Sequence, residues 1–143
     1  MMKFTKRMYT FKDIIRDIAR VARSIPEIIK HQKEGTISRQ FSERLMLAVT
    51  AVNGCRYCDF VHTRMALESG CTREEIKDIM RFQFDSFDDD EIIGLTFAQH
   101  YADTNREPSR ESIKRLGEYY GKKRARAIIH TLNEIWIGNL TGK

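Results

Sequence analysis

The sequence predicts an all-α protein, and three observations carry that reading. Apolar residues recur at helical spacing through most of the chain, no run alternates apolar with polar residues as a half-buried strand does, and the punctuation between periodic segments is that of helix caps. Only two prolines and eight glycines interrupt the 143 residues. A chain of this length buries roughly two-thirds of its unfolded surface, so one domain spanning residues 1–143 can fold without a disulfide or metal scaffold.

About seven helices are expected. Thr10 with Asp13 three positions later opens the first; Ile14, Ile18, Val21 and Ile25 form a stripe expected to be buried, while Lys12, Arg16, Arg20 and Arg23 face away. Pro26 fits either the first turn of a new segment ending at Glu34 or a kink in one helix, and Gly35 suits the position just past its end. Ser38 caps the next helix, which reads Leu45-Met46-Leu47-Ala48-Val49-Thr50-Ala51-Val52 before Asn53-Gly54. Apolar on its whole circumference, it belongs at the centre of a bundle.

A helix from Cys55 to Ser69 follows, closed by Gly70, and Thr72 with Glu75 makes a capping box for a helix through about Phe84. After an acidic loop at 85–90, Asp88 or Asp89 caps a helix through Ile92, Leu95, Phe97 and Ala98 toward Ala102. The last two helices are Glu111 to Tyr120 and Lys122 to about Gly138, where Ile128, Leu132, Ile135 and Trp136 supply the apolar stripe.

Charge is unevenly distributed. Residues 1–40 carry ten basic and four acidic side chains of a total net +5, yet no aromatic-plus-basic recognition motif accompanies them, so a solvated helix face is expected rather than a nucleic-acid contact. No apolar run approaches the roughly 18 residues of a membrane span, and the basic start lacks the apolar core of a secretory leader. A cytoplasmic protein, with neither nucleic acid nor membrane as partner, is expected. In a reducing compartment, two of the three cysteines at C-x-x-C spacing point to redox or metal chemistry rather than a structural staple.

The chemistry concentrates between Glu43 and His62, in the pattern E-x11-C-x2-C-x3-H. Cys55 and Cys58 stand at the start of a helix, where unpaired N–H groups and the helix dipole favour a thiolate and lower a thiol pKa. His62 lies one turn beyond Cys58 on the same face. The Asn53-Gly54 turn folds the helix of Glu43 back against the cysteine helix. At about 1.5 Å per residue, Glu43 stands about 15 Å from that turn, His62 about 12 Å and Cys58 about 6 Å. The order in space is carboxylate, imidazole, thiol: a proton relay. A carboxyl entering so apolar a helix pair has a raised pKa unless it is paired.

This stretch resembles the carboxymuconolactone decarboxylase family, and within it the AhpD-like alkylhydroperoxidases, whose signature is this glutamate, cysteine pair and histidine. Ile37-Ser38, Ala66-Leu67 through Gly70, Glu74-Glu75-Ile76 and Leu95-Thr96-Phe97-Ala98 agree as well, so the likeness covers roughly residues 26–102. The resemblance implies an AhpD-like helical domain in which Cys55 and Cys58 are the redox-active pair and Glu43 and His62 the relay. It implies an oxidoreductase, a disulfide reductase or alkylhydroperoxidase-type antioxidant protein, and not a lactone decarboxylase, because members doing that chemistry generally lack the cysteine pair. It also implies a homo-oligomer, commonly a trimer or hexamer. The best-known alkylhydroperoxidases place a second histidine between the cysteines; here that residue is Tyr57.

No cofactor and no metal is expected beyond the cysteines themselves. The substrate is then a disulfide or hydroperoxide, and a protein or small-thiol electron donor restores the pair. The alternative is a non-catalytic zinc- or iron-binding protein, or a redox sensor, using the same cysteines: two thiolates and the His62 imidazole make three ligands of a tetrahedral site. Cys71, His31, His100 and His130 are candidates for the fourth, none at a committing spacing. Cys71 otherwise reads as a small buried residue at a corner. Between the two cysteines, the helix start favours Cys55 as the attacking thiol, whereas proximity to His62 makes Cys58 the relay-coupled one.

Overall fold

The computed structural model describes residues 10–141, except for the side chains of Val21, Ser24, Glu27, Ile28, His31 and Gln32. Seven helices and no strand appear among the described residues: α1 (Phe11–Glu34), α2 (Arg39–Asn53), α3 (Arg56–Glu68), α4 (Arg73–Met80), α5 (Asp89–Asp103), α6 (Arg110–Tyr120) and α7 (Lys122–Thr141). None is long and apolar enough to cross a membrane.

The bundle is built around α2, which packs against α3, α4, α5 and α7. Its apolar circumference is the cause, since Leu45, Leu47, Ala48 and Val49 lose all contact with solvent. Ser38 sets its start by accepting the Phe41 N–H, and Gly54, at φ 69°, ends it in a left-handed turn that reverses the chain into α3. Thr50 donates to Asn139 at 3.1 Å, tying the interior of α2 to that of α7. Where α5 crosses α2 the approach is close: a Cβ on Gly94 would stand 2.7 Å from the Phe41 ring and 3.0 Å from the Tyr120 hydroxyl. That hydroxyl accepts from the Gly94 N–H at 2.9 Å and donates to the Asp90 carbonyl.

From α2 itself, Arg44 ties the helix to α4 and α5. Its guanidinium lies 2.8 Å from Glu75 of α4 and 2.6 Å from Glu91 of α5, and covers the Phe87 ring. The predicted capping box of Thr72 and Glu75 opens α4.

Two expectations are corrected, and one open alternative is decided. The α1 stripe is not buried within the chain: Ile14, Ile18 and Ile25 are 44%, 57% and 47% exposed, and the Val21 side chain lies outside the described residues. The helix rests on α7, and among its described side chains the one that sinks is Asp17, held by Arg106 at 2.6 Å. Of the two readings of Pro26, the single helix holds: α1 runs through it without a second start, giving up one backbone hydrogen bond. Finally, α4 stops at Met80 rather than near Phe84, because Phe82 takes a left-handed φ of 59° and turns Phe84 and Phe87 into the core.

Candidate active site

The motif divides between the two helices joined at Gly54. Glu43 enters from the second turn of α2 and is 4% exposed. His62 comes from α3, and its Nδ1 lies 2.8 Å from Glu43 Oε2. The contact that counting heights from the turn anticipates is therefore made, and the buried carboxylate is paired. With Nδ1 engaged, the ring presents Nε2 as its second proton site.

Cys55 is the N-cap of α3 and Cys58 lies in its first turn, 2% and 5% exposed respectively. Their Sγ atoms stand 2.8 Å apart, and the Cys58 N–H donates to Cys55 Sγ at 3.4 Å. Both thiols are free. A disulfide, at about 2.05 Å, needs only a small further approach. The two sulfurs are unequal. Cys58 is pushed up to about 12, by burial first and then by its hydrogen bond with Cys55 and the charge Cys55 carries when ionised. For Cys58 the expected lowering by the helix start is outweighed by burial and by Cys55: its own backbone N–H still pulls the value down, and the same N–H reaches Cys55 Sγ.

No hydrogen bond joins His62 to Cys58 among the described residues. The motif forms two couples, thiol with thiol and carboxylate with imidazole, on one face of α3. Tyr57, between the cysteines, turns its ring outward and is 66% exposed; Phe60, one turn on, is 70% exposed.

A cleft of about 380 Å³ opens onto the Glu43–His62 couple, walled by Ile37, Met46 and Met65, with Arg39 also lining it. From α7, His130 and Glu134 face into the same cleft. Glu134 is exposed, yet its carboxyl is pushed up, first by water lost on the cleft side; the His62 charge pulls it down and Glu43 pushes it up. Sequence reading missed Glu134. Its only signal is that Ala127, His130, Thr131 and Glu134 share one face of α7, and nothing in the sequence says which helices that face meets. A roomier hollow of about 780 Å³ between α5 and α6, lined by Ile92, Phe97, Leu116 and Tyr119, contains none of the motif residues.

The family model of the carboxymuconolactone decarboxylase family matches residues 18–89, just over half of the chain, including both helices of the site and all four motif residues. The chain belongs to the carboxymuconolactone decarboxylase family. The match begins in α1, before Pro26, and ends at the start of α5, so the likeness of Leu95-Thr96-Phe97-Ala98 lies outside it. No curated protein and no solved structure matches the chain. As a carboxymuconolactone decarboxylase family protein it shares its group with enzymes, and its all-helical build is that of the family.

The candidate fourth metal ligands are dispersed. His100, on α5, accepts from the Ser109 N–H at 3.3 Å, Cys71 is buried with its thiol 3.9 Å from Ser69 Oγ, His130 lies in the cleft, and the His31 side chain is outside the described residues. Burial pushes the Cys71 thiol up. Among the described residues no three His, Cys, Asp or Glu side chains converge as a metal site.

Proposed function

We propose that this family member is a thiol-dependent oxidoreductase of the AhpD-like kind, in which Cys55 attacks, Cys58 resolves, and Glu43 and His62 carry the proton. The observation that supports it most is the inequality of two sulfurs 2.8 Å apart at a helix start, one served by a helix N–H and the other held protonated.

The Cys55 thiolate attacks one sulfur of a disulfide substrate, forming a mixed disulfide and expelling the other half as a thiolate that takes up a proton. Cys58 then gives its proton by way of solvent to His62 Nε2. Its sulfur attacks Cys55 Sγ, the second thiol leaves, and Cys55–Cys58 remains as a disulfide. Two electrons have passed from the pair to the substrate. With a hydroperoxide, the first step gives an alcohol and a Cys55 sulfenic acid, and the second releases water. Glu43, hydrogen-bonded to Nδ1, orients the ring and stabilises its charged form. A dithiol donor, protein or small molecule, returns two electrons. The chain 1–143 works as one domain without added cofactor, in the cytoplasm. Copies of it assemble into the trimer or hexamer usual in the family, the exposed isoleucines of α1 offering a surface for that contact.

Protein purified in air and then reduced tests this reading by thiol count and metal content. Two thiols should vanish on oxidation and return on reduction, and a small disulfide should form a stable adduct with Cys58→Ser but none with Cys55→Ser. About one zinc or iron per chain, with thiols that resist oxidation, overturns it.

A further inference from the structure

The apolar stripe of α1 has no cover within the chain. Phe11, Ile14, Ile15, Ile18, Ile25 and Ile29 are exposed, from 44% at Ile14 to 76% at Phe11, while the side of the helix turned to the bundle bears the buried Asp17. Together these six expose roughly 600 Å² of apolar side chain, as much as the largest patch of an ordinary soluble monomer. No other described helix exposes more than two large apolar side chains. Spacing indicates what covers the stripe. Phe11, Ile14, Ile18, Val21, Ile25 and Ile28 alternate steps of three and four residues, the a and d positions of a heptad that pairs helix with helix; Val21 and Ile28 are read here from the sequence alone. Charge keeps off this seam. Lys12, Arg16, Arg20 and Arg23 are exposed at other heptad positions, and Asp17 beside the seam is taken by Arg106. A seam without charge offers nothing to an acidic partner and matches a second seam of its own kind, which among the described helices only another copy of α1 provides.

We propose that the α1 helices of three copies pack in parallel about a three-fold axis, stripe against stripe, and that this seam closes the trimer. The proposal names the partner and the axis of the assembly read above and rests on that reading; the redox chemistry does not enter it. Residue shape sets the number of helices. Stiff, β-branched side chains at both a and d favour three or four helices over two, and of these the three-fold seam is the one that a trimer or hexamer contains. The next position, e, holds Ile15, Ala22 and Ile29, which widen the apolar face as a three-helix core requires. A three-fold rotation makes each copy meet two neighbours through the same pair of surfaces, so the ring closes and no stripe is left over. Three stripes bury roughly 1,800 Å² in all, the scale of a stable interface.

Sedimentation of the full chain gives its mass, as the parent and as the double variant Ile18→Glu with Ile25→Glu. Both positions are exposed in the single chain, so the fold should be retained, and helical circular dichroism checks it. The mass should fall threefold, from trimer to monomer or from hexamer to dimer. A second measurement leaves the seam intact. With the parent as blank, whose three cysteines are buried, Ile18→Cys should be joined copy to copy by a short bismaleimide, whereas Arg23→Cys, off the seam, should not; this comparison decides the matter if the double variant unfolds. A mass left unchanged or halved overturns the proposal, as does an Ile18→Cys chain that joins no better than Arg23→Cys. An assembly that survives the double variant removes this proposal alone, and a monomeric parent removes the assembly reading with it. The thiol count that tests the redox reading is untouched by either result.

Discussion

Cys55 and Cys58 are the same residue type three positions apart, and their difference comes from backbone geometry. One occupies the N-cap, where it receives an N–H; the other stands inside the first turn, where burial and the neighbouring sulfur push its thiol up. Spacing reveals that both stand at a helix start, but which one receives the N–H depends on where the first turn closes. The Glu43–His62 contact was more legible, because a tight turn at Gly54 leaves helical rise as the only variable. The partner from α7 was not, since a helix so far along the chain offers no such ruler. Glu43→Gln should slow disulfide reduction at neutral pH by about tenfold or more, measured as initial rates with a small disulfide. An unchanged rate would remove Glu43 from the relay.

Among the elements, helix starts were the most readable features. Ser38 and the Thr72–Glu75 box each satisfy N–H groups left open by the first turn, a local requirement that local sequence meets. Helix faces, and the end of α4, are set by distant partners, and there the reading was poorer: Phe82 ends α4 to deliver two aromatics to the core, and α1 turns an acidic residue inward while Ile14, Ile18 and Ile25 stay out. The crossing of α2 and α5 depends on Gly94 for a reason only packing reveals. Gly94→Ala places a methyl group against Phe41 and the Tyr120 hydroxyl, and should cost about 2 kcal/mol. Urea denaturation measures it; a midpoint equal to that of the parent protein would mean that α5 can shift freely.

For the molecule as a whole, a buried thiol and a half-buried phenol set its alkaline limit. Cys58 and Tyr120 have ordinary values of 9.0 and 10.0 and hold their protons to about 12 when folded. The unfolded chain gives up those protons first, so their contribution is complete below pH 9 and is lost as pH rises toward 12. The thermal midpoint should therefore decline across that range, and Cys58→Ser combined with Tyr120→Phe should flatten the decline even though it lowers the midpoint at neutral pH. A parent curve level to pH 11 would contradict it. The seating of the two site helices differs as sharply as their sulfurs: α2 sinks nine residues into the core, whereas α3 sinks only Cys58 and Ala66. Amides along α2 should exchange with solvent deuterium only when the whole chain unfolds, those at the start of α3 through a smaller opening. Reagents then reach the enclosed cysteines by a local breathing motion, and the frequency of that motion, rather than the reactivity of either sulfur, sets the ceiling on how fast the pair can be oxidised.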